Sequence, residues 1–309
     1  MIFDAHGDIL PDVYEQDKLG IDIWEDYHKD QYAKGGVNAS ILVNFTDPFS
    51  DNQEEVFNGI NKIAPQYFKS REDINVVDKT WSKDKFNVIL GIEGIKPLHS
   101  MSDIQDMYDL GYRHFGLTWN ENNDFATSCI NVGGLTDLGF ELVEYANNNN
   151  VIIDLAHASK QTFMDVSSKT NNPLFVSHSA CRALRDHPRN LDDNQLKVLK
   201  ETNGVVGIFN IRTFLSEDRD SVNLQTFVDH IEHVINVAGI DHVGLGLDFC
   251  FYLGDRNEPS KTKDLHTIAD SKNIIKELER RHYKDVDIEK IMYGNMFRIV
   301  KETLKLGDN

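Results

Sequence analysis

The chain has 309 residues, and Lys+Arg 32 against Asp+Glu 50 gives it a formal net charge of −18. That balance repels nucleic acid and anionic membrane and excludes both as natural partners. Cys129, Cys181 and Cys250 form no CxxC pair, which excludes a zinc knuckle and a disulfide framework. No stretch of about 18 uncharged apolar residues and no basic leader is present, so a cytoplasmic protein is expected.

In chain order, short apolar and β-branched runs recur, and most of them end in a polar residue. Ile2-Phe3-Asp4 leads to His6 and Asp8, two positions apart. In a strand such residues share one side, so the imidazole and the carboxylate can converge on one point. The second run is Ala39-Ser40-Ile41-Leu42-Val43. The third, Asn87-Val88-Ile89-Leu90-Gly91, is followed by Glu93, and the fourth is His114-Phe115-Gly116-Leu117. The fifth, Val151-Ile152-Ile153-Asp154-Leu155, leads to His157, and the sixth, Leu174-Phe175-Val176, to His178. Val205-Val206-Gly207-Ile208-Phe209 is the seventh. His242-Val243-Gly244-Leu245-Gly246-Leu247 is the eighth and ends at Asp248.

Stretches with helical spacing lie between most of these runs, among them 138–145, 191–199 and 227–237, and the Asn run 147–150 reads as a helix-to-strand turn. No low-complexity or Pro-rich joint divides the chain, so residues 1–309 are expected to form one catalytic domain. Strand and helix alternating eight times predicts a closed parallel TIM (β/α)8 barrel, with a doubly wound open sheet as the competing fold. Barrel chemistry sits at the carboxyl ends of the strands, which is where these polar residues fall. Singly, each has a plain alternative, a His bonded to a loop carbonyl or an Asp capping a helix. Together, three imidazoles and three carboxylates exceed the needs of one tetrahedral ion and predict two metals sharing a bridging carboxylate.

The strings Asp4-Ala5-His6-Gly7-Asp8, Gly91-Ile92-Glu93-Gly94, Leu117-Thr118-Trp119-Asn120, Ile153-Asp154-Leu155-Ala156-His157, Ser177-His178-Ser179, Pro188-Arg189-Asn190-Leu191 and Gly244-Leu245-Gly246-Leu247-Asp248 resemble, in order, the membrane dipeptidase (renal dipeptidase) family of zinc peptidases. The resemblance implies a TIM barrel of the metal-dependent amidohydrolase type that holds two Zn2+ ions. His6 and Asp8 would hold the first zinc, Glu93 would bridge, and His157 and His178 would hold the second. A hydroxide between the metals would attack the scissile carbonyl. Asp248, left over from the ligand set, would carry the proton from water to the departing amine. Arg189 falls where the family binds the substrate carboxylate, and a guanidinium forks onto such a group. The substrate expected is thus a free dipeptide, with tolerance for a D-residue at its C-terminus. Relatives are often dimers, which leaves a homodimer open.

Two departures bear on the substrate. Trp119 stands where many relatives have a His that contacts the substrate oxygen, which shifts oxyanion stabilisation to zinc or to Asn120. Phe249-Cys250-Phe251 replaces a second acidic residue and a Gly, which alters the pocket wall. Asn295, in Tyr293-Gly294-Asn295, is expected to be structural. His230 and His233, three apart on a predicted helix, are read as solvated, and Trp24 and Tyr27 as rim packing. Two other functions compete: a metallohydrolase of the same scaffold acting on a lactam, lactone or N-acyl amino acid, and a catalytically silent metal-dependent binding protein.

Overall fold

The computed structural model describes residues 1–45, 52–254 and 260–307. Eight parallel strands close on themselves: β1 (Ile2–Gly7), β2 (Val37–Phe45), β4 (Phe86–Glu93), β5 (His114–Gly116), β6 (Ile152–Asp154), β7 (Phe175–Ser179), β8 (Val205–Ile208) and β9 (Val243–Leu245). Closure comes from β1 pairing with both β2 and β9, and from β2 pairing with β4 in unbroken register, Ala39 to Asn87 through Phe45 to Glu93. These are the eight expected runs, and the closed ring settles the fold in favour of the TIM barrel. A ninth strand, β3 (Ile74–Val76), lies outside the ring and pairs only with β4. Its three residues are too few to show a period in the sequence.

The strands are buried on both faces, which is why they read as continuous apolar runs rather than as alternations. Helices begin where side chains can cap them. Thr136 accepts from Gly139 N at the start of Asp137–Asn149, and Asp192 caps Asp193–Glu201, two residues later than the spacing from Leu191 suggested. The Asn run supplies the last turn of its helix, and Asn150 makes the turn itself with φ 56°.

The C-terminal helix Asn295–Leu304 packs Met296, Ile299 and Val300 against Phe3, Ala39 and Val205, residues near the starts of their strands, and so closes that end of the barrel. Asn295 is structural as expected: its buried amide donates to Ile240 O (2.7 Å) and Val243 O (2.8 Å), tying this helix to the entry of β9. Trp24 lies in the core against Tyr32, Phe68 and Phe86 rather than on the rim, and Tyr27 lines a small apolar pocket with Tyr32 and Tyr252. No helix among the described residues is long and apolar enough to cross a membrane.

Candidate active site

The opposite end of the barrel gathers the polar residues. His6 lies within β1 at a register shift between Asp4 and Gly7, and His178 within β7 at a shift between Val176 and Ser179. Such irregularities re-aim side chains, and here they bring the two imidazole rings to 3.8 Å between centroids. The second shift needs room: a Cβ at Gly246 would stand 1.8 Å from Ser177 O, and one at Gly207 2.0 Å from the same atom. Glu93 is the last residue of β4. His157 and Asp248 follow β6 and β9 with φ of 61° and 56°, left-handed conformations that turn each chain sharply over the mouth.

Glu93 stands at the centre. Its Oε1 is 3.1 Å from His157 Nε2 and 3.3 Å from His178 Nε2, while its Oε2 is 3.5 Å from His6 Nε2. His6 Nε2 in turn lies 3.4 Å from Asp8 Oδ1 and 4.0 Å from Asp248 Oδ1. One carboxylate thus faces two clusters of donors. The plain alternatives fail here. Asp8 precedes the helix Ile9–Asp17, yet its side chain makes no capping bond, and neither ring nitrogen of His6 has a hydrogen-bond partner.

The rings of His157 and His178 are wired for coordination. Ser177 Oγ donates to the Asp154 carboxylate (2.5 Å), so toward His178 Nδ1 (2.8 Å) it can only accept. Asp154 is fixed by Ser177 N (2.7 Å), Ala156 N (3.0 Å) and the His114 ring (3.2 Å). Asn120 Oδ1 accepts from His157 Nδ1 at 3.2 Å. Both rings are therefore assigned the Nδ1–H form, which leaves two Nε2 lone pairs 3.1 Å apart and aimed at a carboxylate. Lone pairs facing a carboxylate repel unless a cation lies among them. Donors about 2.0 Å from a tetrahedral ion sit about 3.3 Å apart, close to the separations seen here, so this donor set fits a divalent metal.

The electrostatics separate the two sides of Glu93. Burial opposes charge on His6, but Glu93 and Asp8 outweigh it and hold the ring well above its ordinary pKa. Burial pushes Glu93 up, yet His6, His157 and His178 hold it well below the carboxylate range. Burial and then Arg189 bring His157 down to about 4, keeping it neutral as a ligand must be. Burial, with Asp8 and Glu93 nearby, drives Asp248 well above the carboxylate range. Asp4 is pushed by burial up to about 7; it accepts from Leu247 N (2.7 Å) and so fixes where Asp248 emerges.

Arg189 is buried beside this cluster. Its Nη2 donates to His178 O (2.8 Å), while Nε and Nη1 have no partner. It helps line a cleft of about 620 Å3 whose apolar walls are Phe45, Trp119, Phe209, Ile211 and Phe214. All nine residues expected at the site therefore meet here, though Asn120 orients His157. Asp154 and Ser177 lay inside the matched strings without a role visible in sequence, because their bonds cross between neighbouring strands. His230 is buried rather than solvated: it accepts from Cys181 N (3.0 Å) and donates to Leu215 O (3.0 Å), while His233 pairs with Asp193 (2.8 Å). Neither joins a metal cluster among the described residues.

The family model described as membrane dipeptidase (peptidase family M19) matches residues 27–309. An uncharacterized dipeptidase of Schizosaccharomyces pombe is 34% identical over 227 residues, 71% of this chain and 53% of that protein, so the chain spans about half the length of that relative. Among solved structures, a metallopeptidase described as dipeptidase AC superposes with a TM-score of 0.87 at 20% identity, covering 98% of each chain. A metallopeptidase of Rhodobacter sphaeroides, liganded with a phosphinate mimic of the dipeptide L-Ala-D-Ala, gives 0.87 at 20% identity over 98% of this chain and 99% of that one.

Proposed function

Because this chain belongs to the membrane dipeptidase family, peptidase family M19, we propose that it is a dipeptidase that holds two zinc ions and cleaves free dipeptides, those of L-Xaa-D-Xaa type included. The observation that carries this is the two-sided Glu93, with His157 and His178 at one oxygen and His6 at the other. His6 and Asp8 would hold one ion, His157 and His178 the other, and Glu93 both. Divalent metal at such a site supplies Lewis acidity, which polarises a carbonyl and brings the pKa of water from 15.7 toward neutral.

The chain's own residues do the rest. Asp154 through Ser177, and Asn120 directly, keep Nδ1 of the two imidazoles protonated and Nε2 available. Asp248, with its carboxyl raised and within 4.0 Å of His6, takes a proton from the attacking water and delivers it to the leaving amine. Arg189 presents its unpartnered Nε and Nη1 to the C-terminal carboxylate. The same cleft carries the carboxylates of Asp8, Glu93 and Asp248, which can receive the free amine of a dipeptide. Trp119 contributes a wall, its ring 6.2 Å from that of His157, and supplies no base. The phosphinate mimic bound by the Rhodobacter sphaeroides relative supports the L,D dipeptide class.

The test is a panel of dipeptides differing in C-terminal chirality, with tripeptides, lactams and N-acyl amino acids beside them, on protein of measured metal content. Dipeptides alone should be cleaved, with activity lost to chelator and to Glu93→Gln and, for the wild type, restored by zinc. Preferred cleavage of a lactam or N-acyl amino acid would replace this reading with the wider amidohydrolase one.

A further inference from the structure

Beyond Ile211, Asp248 and Cys250, which it shares with the main cleft, a second space of about 670 Å3 opens between the loops that follow β8 and β9. Its polar lining is Asn210, Arg212, Thr213, Arg219, Ser260 and Lys261. In a chain where acids outnumber bases 50 to 32, this lining holds three cations, and its one carboxylate among the described residues is Asp248 at the junction. Arg212 is held in place by Arg219 O (2.8 Å) and Asp220 Oδ1 (3.3 Å). Arg219 and Lys261 pair with no carboxylate among the described residues. Asn210, itself buried, donates to Ser260 Oγ (3.2 Å) and Leu265 O (2.9 Å), bracing one loop against the other. The loops after the last two strands are also where barrels of this kind commonly bind anions.

We propose that this chamber is a subsite for an acidic side chain on the N-terminal residue of the substrate. The inference rests on the dipeptidase reading, which puts the substrate carboxylate on Arg189 and its amine near Asp8 and Asp248. The chamber opens at Asp248, so the side chain that enters it belongs to the amino-terminal residue. A short side chain would leave its carboxylate at the junction beside Asp248, away from the cations, whereas a longer one reaches past it toward Arg219 and Lys261. Glutamate is thus favoured over aspartate. Because both cations are exposed, their attraction is screened by salt.

The experiment compares kcat/KM for L-Glu-L-Ala, L-Gln-L-Ala and L-Lys-L-Ala in the zinc-loaded wild type and in R219M/K261M and R219E/K261E. The ratio of substrates is taken within each protein, so that any general loss of activity cancels. In the wild type Glu should exceed Gln by roughly tenfold at low salt, shrinking to a few-fold at high salt. The ratio should approach unity in the Met variant, and the Glu variant should prefer Lys to Glu. A wild type that takes Gln as well as Glu, or a preference that survives both variants, overturns the subsite while leaving the dipeptidase reading intact. Failure to cleave any dipeptide overturns both.

Discussion

Replacement of Arg189 by Met separates the cost of a buried guanidinium from its use. The side chain has one bond to the protein, to His178 O, and two donors with none, in a residue only 4% exposed. Burial pulls its pKa down, but a guanidinium stays charged at any working pH. Leaving a buried donor unsatisfied costs about 1 to 3 kcal/mol, so two donors that the protein itself does not satisfy put roughly 2 to 6 kcal/mol at stake for whatever fills the cleft beside them. A substrate carboxylate would accept two charge-assisted bonds there, each worth about 1.5 to 3 kcal/mol. Met fills the volume without the charge. It should lower kcat/KM for a dipeptide at least about 100-fold, chiefly through KM, since about 1.4 kcal/mol is tenfold. Lys, which keeps the charge and loses the fork, should fall between. The same Met variant should unfold in urea at no lower a concentration than the wild type, because the lost bond to His178 O is offset by relief of the two orphaned donors. Steady-state kinetics on a dipeptide and its C-terminal amide, beside urea unfolding, check both halves. A wild type that cleaves the amide as readily as the free acid refutes the carboxylate assignment. A Met variant markedly less stable than the wild type refutes the claim that the guanidinium is held at a cost.

Asp154→Asn and Ser177→Ala should each weaken metal binding by about 10- to 100-fold, the usual effect of removing a group that orients a ligand imidazole. Chelator competition followed by metal titration measures it, and unchanged affinity in both variants would mean that the Ser177–Asp154 chain does not set the His178 tautomer. Glu277, buried and gripped first by Arg280 and then by Arg281, has its carboxyl held down to about 2 from 4.5. A pKa depressed on folding stabilises above the unfolded value and loses that contribution as pH falls through the folded one. Full conversion gives about 3 kcal/mol, and screening at the exposed Arg280 brings the expectation for Glu277→Gln near neutral pH to about 2 kcal/mol. Urea unfolding should show this difference at pH 7 and less than half of it at pH 3, and a difference independent of pH would contradict the assignment.

The barrel was legible because its strands are buried on both faces and each ends at one mouth, so a His, Asp or Glu that closes an apolar run stands out against its neighbours. His6 and Asp8 needed only the strand period. Glu93 needed only its place at the end of β4. What sequence could not show is who holds these residues. Asp154 reaches Ser177 across 23 positions and His114 across 40, contacts that depend on which strands are neighbours and in what register. Asn120 is expected at the substrate because it follows Trp119 in the matched string, and the bond of its carbonyl to His157, 37 residues on, is a further contact that no spacing shows. His230 looked solvated from its helical spacing, and only the packing of Cys181 and Leu215 around it shows a buried ring that bonds at both nitrogens.

Strained backbone and partnerless buried polar atoms fall together at the end of the barrel that carries the candidate site. At the closed end Asn295 spends both amide hydrogens on carbonyls, and Met296 fills the space against Gly244. At the open end His157 and Asp248 hold left-handed backbones, and His6, Asp8 and Arg189 keep buried polar atoms without partners. A left-handed non-glycine residue costs about 1 to 3 kcal/mol and persists only when its surroundings fix it. Here they do: Cys129 N donates to His157 O (2.7 Å), and Asp248 N donates to His6 O (3.3 Å). The second bond ties the strained residue to the main-chain carbonyl of His6, the residue whose ring nitrogens lack partners, so relaxing Asp248 would also loosen the backbone that presents that ring. Strain and unsatisfied polarity at this mouth are therefore coupled. A cation bound among His6, Asp8 and Glu93 would relieve the polar part while the backbone that presents it stays fixed by the barrel.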